Sequence, residues 1–369
     1  MKQSKSWLSL LLVISLSFCL IGYTRTGEAS APPETKGLND LTMDELIAKA
    51  KEEGHIESVG MPDGWAAWEL SWAAIEKKYG ITHFDTDMSS AEEVSIFIAE
   101  RDDPTRDIGD AGLAFADVAI EEDVVQGYKP STWDSIPDWA KDPEGRWILS
   151  YTGTICFIVN TRLTDGVVPT TWQELKDTDI VISPGNVIGG ASSQVSVLSC
   201  AIAMGGGFDN VQPGIDYFVE LAKAGRLDPG DVTRDRLRVG EIALINSRFD
   251  FDGVSFRDDI NSDNPNQIVT TIPQDGAITT GYILIFNKYA PHPHATALGI
   301  EYLLSDEGQL DRAYGGARPI RDIHLPDDIP LLPNNLYNNT TPVTDPELLA
   351  KACMEISRLW EEQVLPAIR

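Results

Sequence analysis

Hydrophobic and polar positions alternate between a helical and an extended period along most of the chain. Near the start, Thr42 and Glu45 have the spacing of a capping box, which predicts a helix that Gly54 ends. The predicted strands cover 55–61, 82–87, 107–115, 147–160 and 241–246, and the predicted helices cover 65–79, 90–100, 213–224, 295–304 and 347–364. This alternation is typical of an α/β protein with mostly parallel sheets.

Further helix starts follow from local signals. Two more capping boxes are predicted, at Ser90 to Glu93 and at Thr171 to Glu174. A glycine-rich turn at 185–190 precedes a helix for which Ser192 or Ser193 is the predicted N-cap.

Two long β-branched runs, 147–160 and 268–287, are too long for ordinary strands. Gly276 and Gly281 are expected to break the second run. We interpret the runs as crossings between two lobes, one outward and one returning. The first lobe then comprises 38–152 and about 279–330, the second comprises 153–278, and 331–369 packs on the lobes as a loop and a helix.

The N-terminal segment predicts export. Lys2 and Lys5 precede an apolar run, 7–21, and small and polar residues follow as far as Ala31. This order is that of a signal peptide over residues 1–31, since the run is short for a membrane helix. Cleavage near Ala29 and lipidation at Cys19, where Phe18 departs from the usual small residue, both remain open. The expected location is periplasmic or extracellular.

Composition narrows the class of partner. The chain has 369 residues, which at roughly 150 residues per domain predicts two domains. Its 57 acidic residues outnumber 29 Lys and Arg and give a formal charge of −28, so nucleic acid and anionic membrane surfaces are disfavoured. Cys156, Cys200 and Cys353 are expected to be buried thiols, with a bridge between Cys156 and Cys200 as the alternative.

Catalytic signatures are missing from the sequence. It contains no G-x-S-x-G, H-E-x-x-H or P-loop pattern, so we expect no enzyme, no cofactor and no metal site. His292 and His294 flank a proline and are interpreted as exposed loop residues. A secreted hydrolase that uses paired carboxylates is the alternative from another class, because acidic residues are abundant.

Two segments carry a resemblance to a known family. Pro169 to Leu175 (PTTWQEL) and Leu303 to Gln309 (LLSDEGQ) resemble structural motifs of bacterial extracellular solute-binding proteins, in the group that contains ferric-ion, thiamine, aminoethylphosphonate and hexose-phosphate binders. The resemblance implies the type II periplasmic-binding fold, in which two α/β lobes enclose a ligand cleft. It also implies a monomer that delivers a small molecule to the permease subunits of an ABC importer. A receptor subunit of a sensor kinase would share the fold.

Candidate ligand contacts in the second lobe suit an anion. Ser192, Ser193 and Gln194 stand where a helix N-terminus offers N–H groups, and they resemble the anion-binding turn of the family. Arg248 and Asp250 follow a strand, and the guanidinium suits bidentate contact with an anion. An ordinary N-cap and a surface ion pair are the alternatives at these two places.

In the first lobe, Asp63, Trp65, Ser89 and Ser90 occupy corners where strands pass into helices, and Asp117 lies past the next strand. Trp65 is suited to stacking on a ring, although its spacing to Trp68 and Trp72 also fits a packed helix face. Tyr151, Thr152 and Tyr282 lie on the crossings and either line the cleft floor or pack the hinge.

The favoured cargo is a phosphate- or phosphonate-bearing anion. A cationic or aromatic solute, such as thiamine or a polyamine, is the alternative, and it is suggested by Trp65, Asp63 and Asp117. Iron is disfavoured because the two adjacent tyrosines of ferric-ion binders are missing from the sequence.

Overall fold

The computed structural model describes residues 37–368, so the predicted signal peptide, with Cys19 and Ala29, lies outside the described residues. The strands are β1 His55–Val59, β2 Thr82–Thr86, β3 Ile108–Gly112, β4 Trp147–Asn160, β5 Ile182–Ser183, β6 Leu244–Phe249, β7 Ile268–Thr271, β8 Ile278–Phe286, β9 Arg318–Pro319 and β10 Thr341–Pro342. The helices are α1 Met43–Glu53, α2 Trp68–Tyr79, α3 Ser90–Ala99, α4 Ala116–Glu121, α5 Trp172–Lys176, α6 Ala191–Ala203, α7 Gln212–Lys223, α8 Arg234–Val239, α9 Asp250–Asp263, α10 Pro293–Leu303, α11 Asp306–Tyr314 and α12 Pro346–Leu359. In this part of the chain, no helix is both long and apolar enough to cross a membrane.

The strands form one continuous sheet with the order β2-β1-β3-β8-β4-β6-β5. Strand β1 pairs in parallel with β2 and β3, and β5 pairs in parallel with β6. Strand β8 runs antiparallel to both β3 and β4, and β4 runs antiparallel to β6. The parallel strand pairs therefore lie towards the two edges of the sheet, and the antiparallel pairs lie at its centre. In this arrangement the carboxyl ends of the parallel strands from the two edges can face each other.

Strand β4 joins the two parts of the sheet. All 14 of its residues are buried, as expected for a strand that is covered on both faces. Its first part, as far as Thr154, pairs with β8, and its second part, from Ile155, pairs with β6 and β7. The chain returns between β7 and β8, through residues 272–277. The long strand at 147–160 is confirmed, whereas the predicted break at Gly281 is wrong, because Gly281 pairs with Thr152 inside β8.

The capping signals are confirmed at one helix and shifted at another. The carboxylate of Glu45 accepts from Thr42, and Thr42 Oγ1 accepts from the Glu45 N–H, so the first capping box is present. The second box lies one residue earlier than predicted, because Ser89 caps α3 and donates to Glu92. Ser90 instead accepts from the Gly112 N–H at 2.9 Å.

The N-cap of helix α6 lies two residues before Ser192 and three before Ser193, the two predicted caps. This N-cap is Gly190, and Ser192 and Ser193 lie in the first turn of the helix. All residues of α6 from Ala191 to Ala201 are buried, so the helix is enclosed by the rest of the fold. A glycine cap brings no side chain to the first-turn N–H groups.

Four of the helices carry no strong sequence signal. Helices α4, α8, α9 and α11 were not predicted, because their apolar residues contact other elements without a sustained period. Cys156, Cys200 and Cys353 are buried and free, which confirms the thiol prediction over the bridge.

The prediction of exposed histidines is wrong, because both are half-buried. His292 bonds to Asp107, and His294 bonds to Glu53. The described residues contain no cluster of His, Cys, Asp and Glu suited to a metal ion.

The two segments that carry the family resemblance have structural roles. Trp172 is fully buried, donates from Nε1 to Ser199 Oγ at 3.0 Å, and packs edge to face on Phe157. Gln309 is also fully buried. Its Nε2 donates to the carbonyls of Ser150 and Leu303, and its Oε1 accepts from the Ile320 N–H.

We expect Gln309→Leu to lower the free energy of unfolding by about 2–4 kcal/mol, because two carbonyls and one N–H lose their buried partner. Urea unfolding followed by circular dichroism measures the change. Gln173→Leu, at an exposed position on α5, is the control and is expected to change stability by less than about 0.5 kcal/mol. Equal midpoints for the two variants would contradict the structural role of Gln309.

Candidate functional site

A cavity of about 940 Å³ lies beyond the carboxyl ends of the parallel strands. Its lining comes from the segments that follow β1, β2 and β5, from β3, β6 and β8, and from the loop that leads into α8. Loops at this edge of α/β sheets are where ligands usually bind, because helix N-termini and strand ends converge there. Both ends of the sheet therefore contribute to one site.

One wall of the cavity is rich in hydroxyl groups. Ser192 and Ser193 are in the first turn of α6, and Ser247 is on β6. A Cβ atom placed on Gly185 would lie 2.7 Å from Ser193 Oγ and 2.9 Å from Ser247 Oγ, so these hydroxyls converge on the space beside that glycine. The Ser247 hydroxyl donates to the Ser183 carbonyl at 3.2 Å. The neutral donors of this wall are therefore the Ser193 hydroxyl and the first-turn N–H groups of α6, at the positive end of the helix dipole.

Arg248 supplies a positive charge on the same wall, and this charge is partly neutralised. Its Nη2 donates to the Val232 carbonyl at 3.0 Å, and its Nε lies 3.3 Å from Asp252 Oδ2. The guanidinium also lies over the ring of Trp65, 5.6 Å from the centroid. Burial raises the pKa of Asp252, and the charges of Arg248 and Arg234 lower it. The arginine is held in place and keeps part of its donor capacity for a ligand.

The facing wall is formed by the segments after β1 and β2. Trp65 is half-buried, donates from Nε1 to the Tyr151 hydroxyl at 2.8 Å, and packs edge to face on Phe251 and Tyr282. Ser89 and Ser90 line this wall as well. Their hydroxyls are engaged within the chain, by Glu92 and by the Gly112 N–H respectively, which favours the capping interpretation of this corner.

The floor contains two buried carboxyl groups, Glu93 and Asp110, each 1 % exposed. Glu93 occupies space left by two glycines, because a Cβ on Gly60 would lie 2.4 Å from its Oε1 and a Cβ on Gly109 would lie 2.8 Å from its Oε2. The Asp110 N–H donates to this carboxyl. Asp110 Oδ2 accepts from the Tyr151 hydroxyl, which holds the floor in register with strand β4.

Burial changes the protonation of both floor groups. It raises the pKa of Asp110 to about 8, against hydrogen bonds from Tyr151 and Trp68 and the charge of Arg312. Burial also raises the pKa of Glu93 well above its usual value, and the charge of Asp110 adds to this increase. The two carboxyl groups lie in one buried place, where like charges disfavour their joint ionisation.

Tyr282 connects the floor to the hydroxyl-rich wall. It is 7 % exposed, lines the cavity and hydrogen-bonds the side chain of Ser192. Its ring stacks on Tyr151, with centroids 5.8 Å apart, and the charges of Asp110 and Glu93 raise its pKa further after burial. The serine wall and the carboxyl floor are therefore neighbours.

The cavity brings together a little over half of the predicted site residues. These are Trp65, Ser89, Ser90, Ser192, Ser193, Arg248 and Tyr282. They come from both predicted lobes, as the expectation of a cleft requires. The remaining six predicted residues do not line it.

Each of those six residues has another environment. Asp63 is exposed on the turn after β1, and Asp117 lies on α4, where the charges of Glu347 and Asp345 act on it. Gln194 Nε2 donates to the Ile188 carbonyl and Ser357 Oγ.

The other three belong to the sheet or its edge. Tyr151 is fully buried beneath Trp65, and Thr152 pairs with Gly281 and Arg318 within the sheet. Asp250 accepts from the Thr154 N–H and the Tyr337 hydroxyl. These side chains support the cavity without lining it.

Sequence reasoning missed several lining residues. Examples are Asp87, Glu93, Asp110, Arg234, Ser247 and Phe256. Glu93 was assigned to a capping box, although its position on the buried face of a helix could have indicated a functional carboxyl group. The position of Asp110 within an apolar strand was a second available signal, because buried carboxyl groups are rare without a function.

Comparison with known proteins identifies the class. Residues 103–341 match the model of a family described as bacterial extracellular solute-binding protein. The match covers more than half of the chain, so the chain belongs to this family. The fold is the type II periplasmic-binding fold, and the family resemblance seen in the sequence is confirmed. A comparison with curated protein sequences finds no significant match.

Solved structures of similar fold include three binding proteins. AfuA from Actinobacillus pleuropneumoniae, with fructose-6-phosphate bound, is 15% identical, with a TM-score of 0.69 over 84% of this chain and 98% of that one. The substrate-binding protein of an ABC transporter from Agrobacterium tumefaciens is also 15% identical, with a TM-score of 0.69 over 86% and 96%. Iron-bound HitA from Pseudomonas aeruginosa is 16% identical, with a TM-score of 0.64 over 82% and 98%.

We expect Asp110→Asn to flatten the dependence of stability on pH. Because the pKa of Asp110 is about 8 in the folded protein and 3.8 in its ordinary state, the folded protein holds the extra proton between these values. Raising the pH through this window therefore lowers the free energy of unfolding, by up to about 1.4 kcal/mol per pH unit. The amide retains an oxygen that can accept from Tyr151 and Trp68 and has no such proton to lose.

Urea unfolding at pH 5 and pH 8 measures this effect. At pH 8 the variant should be more stable than wild type. At pH 5 this difference in the free energy of unfolding should be several-fold smaller. Asp209→Asn, at an exposed position, controls for the loss of one negative charge. A difference between Asp110→Asn and wild type that stays constant with pH would contradict the buried, protonated state.

Proposed function

We propose that this protein is the substrate-binding component of an ABC-type importer. It captures a small organic solute in the cavity and delivers it to the permease subunits, acting as a monomer outside the cytoplasm after export by the 1–31 signal peptide. The solute carries an anionic group, with phosphate or phosphonate favoured. Membership of the extracellular solute-binding family supports the role, and the fructose-6-phosphate bound to AfuA, a protein of similar fold, supports the class of ligand.

The convergence of donors beside Gly185 carries the anion assignment. The Ser193 hydroxyl and the first-turn N–H groups of α6 meet there, and Arg248 adds a guanidinium on the same wall. The Ser247 hydroxyl lies beside them and donates to the Ser183 carbonyl. A tetrahedral oxyanion needs several donors from different directions, and short hydroxyls next to a helix N-terminus provide them. Because α6 is enclosed by the fold, its N-terminus is held rigidly at the cavity wall.

Closure of the cleft follows from the path of the chain. The lobes in this proposal are those predicted from the sequence, 38–152 with about 279–330, and 153–278. The hinge is then the middle of β4 and the return segment 272–277. Arg234 Nη2 lies 4.0 Å from the Cβ position of Gly64, so the two rims of the cavity approach each other above the site. A ligand that contacts both walls stabilises the closed arrangement.

A cationic or aromatic solute is the second candidate. Trp65 and Phe256 offer ring faces or edges, and Asp87, Asp231 and Asp235 add negative charge to the lining. Iron remains disfavoured, because Tyr282 is the one tyrosine in the lining formed by the described residues. Ferric-ion binders use two adjacent tyrosines, so binding of iron in this cavity would need a second tyrosine in its lining.

We expect mass spectrometry of the solute released from freshly purified protein to detect an organic phosphate or phosphonate, at about one per chain. Ser193→Ala and Arg248→Lys should each weaken binding of that solute by about tenfold, because each removes donors to the anion. Isothermal titration calorimetry measures the affinities. Ser95→Ala, on α3, is the control, since its hydroxyl donates only to the Ala91 carbonyl.

Two other outcomes would overturn parts of the proposal. Recovery of a phosphorus-free cation, with unchanged affinity in both variants, would replace the anion by the second candidate. Conversion of the solute during incubation would indicate the hydrolase alternative, because a transport component returns its ligand unchanged.

A further inference from the structure

The two floor carboxyl groups have hydrogen-bonding capacity that the chain itself does not use. Within the described residues, Glu93 Oε2 and Asp110 Oδ1 are buried and have no hydrogen-bond partner. Native proteins rarely leave such atoms unpaired, because each one costs the full desolvation free energy of a polar group. Both side chains line the solute cavity, which makes a bound solute the natural partner.

The surroundings of the pair select for a donor with positive charge. The interactions that act on Glu93 are burial, the charges of three other carboxyl groups, those of Asp110, Asp85 and Asp87, and a hydrogen bond from the Asp110 N–H. Arg312 lowers the pKa of Asp110. Its Nη2 donates to the Ala67 carbonyl and to Ser71 Oγ, and its guanidinium lies over the ring of Trp68, whereas its Nε and Nη1 have no hydrogen-bond partner within the described residues. No positively charged group is among those that act on Glu93.

The floor lies next to the proposed anion site. Tyr282 bonds Ser192 at the start of α6 and is close enough to Asp110 for their charges to interact. In addition, a Cβ on Gly112 would lie 2.3 Å from Ala191 Cβ, so the first residue of α6 packs on β3 just beyond Asp110. A small molecule can reach the hydroxyl-rich wall and the floor at the same time.

We infer that Glu93 and Asp110 form a second subsite that binds a cationic hydrogen-bond donor of the solute, such as a primary ammonium group. The solute is then a small zwitterion, with its anionic group beside Gly185 and its cationic group on the floor. This inference rests on the proposed anion site and adds a recognition element that a simple phosphate ester lacks. It also reconciles the phosphate-binding features of one wall with the acidic lining elsewhere.

Proton release accompanies binding in this arrangement. In the empty cavity the raised pKa values keep protons on the floor, and an arriving ammonium group replaces a proton. Affinity for a cationic probe should therefore rise with pH up to about 8. The charged and titratable groups that face the pair are Tyr151, Tyr282, Asp85, Asp87 and Arg312. Burial raises the pKa of both tyrosines further above neutral, and it also raises the pKa of Asp85 and Asp87.

Three probes separate the two subsites by calorimetry: O-phosphoethanolamine carries both groups, ethyl phosphate carries only the anion, and ethanolamine carries only the cation. We expect wild type to bind phosphoethanolamine at least tenfold more tightly than ethyl phosphate at pH 7.5. Titrations in buffers of different ionisation enthalpy should show proton release of about one for phosphoethanolamine beyond that for ethyl phosphate. Glu93→Gln and Asp110→Asn should each reduce the tenfold preference to about twofold or less.

A variant of the proposed anion site provides the complementary test. Ser193→Ala should weaken both phosphate probes equally and leave their ratio unchanged. Asp63→Asn is the matched control for charge, because Asp63 is exposed and lies outside the cavity lining. Thermal melts identify any variant that does not fold, and the two near-isosteric floor variants provide independent tests.

The possible results distinguish the two proposals. Equal binding of phosphoethanolamine and ethyl phosphate, or a preference that survives in both floor variants, would overturn the cation subsite and leave the anion site intact. Binding of ethanolamine as tight as that of phosphoethanolamine, with no effect of Ser193→Ala, would overturn the anion site and the zwitterion with it. Failure of all three probes to bind at millimolar concentration would overturn both.

Discussion

The burial of strand β4 is the constraint on which the cavity depends. Its 14 residues are enclosed on both faces, and its pairing partners change from β8 to β6 and β7 along its length. A shift of one residue in its register would turn every one of its side chains to the opposite face. The strands that pair with it carry Tyr282 and Arg248, so the register of β4 sets the separation of groups on the cavity wall and floor.

The side chain of Tyr151 links β4 to the cavity. Its hydroxyl accepts from Trp65 and donates to Asp110, so one buried side chain of β4 positions both an aromatic wall and a carboxyl of the floor. Helix α6 is held in a similar way by burial, which fixes its N-terminus beside Gly185. The cavity thus combines a donor-rich wall and an acidic floor that are each held in place by burial.

Local patterns in the sequence predicted much of the fold and part of the site. The capping box at Thr42, the long buried strand at 147–160 and the amphipathic helices depend on neighbours a few residues apart, and these were confirmed. Ser193 was singled out because it stands at a predicted helix N-terminus, and Arg248 because it was predicted to follow a strand, although it lies within β6. Asp250 satisfied the same rule and faces the Thr154 backbone instead, because the pattern specifies an edge and not the direction of a side chain.

By itself, the sequence determined the α/β class, the family and the serine-rich start of α6. Only the tertiary structure decided that Glu93 and Asp110 both lie on the cavity floor, since they belong to different elements and the glycines at 60 and 109 leave the room that the Glu93 carboxyl occupies. The physical reason is that helices and strands form from contacts close in the chain, whereas buried charge and cavity shape arise from contacts between distant segments. The class of protein could be predicted from local sequence patterns, whereas the chemistry of its cavity depends on how distant segments pack together.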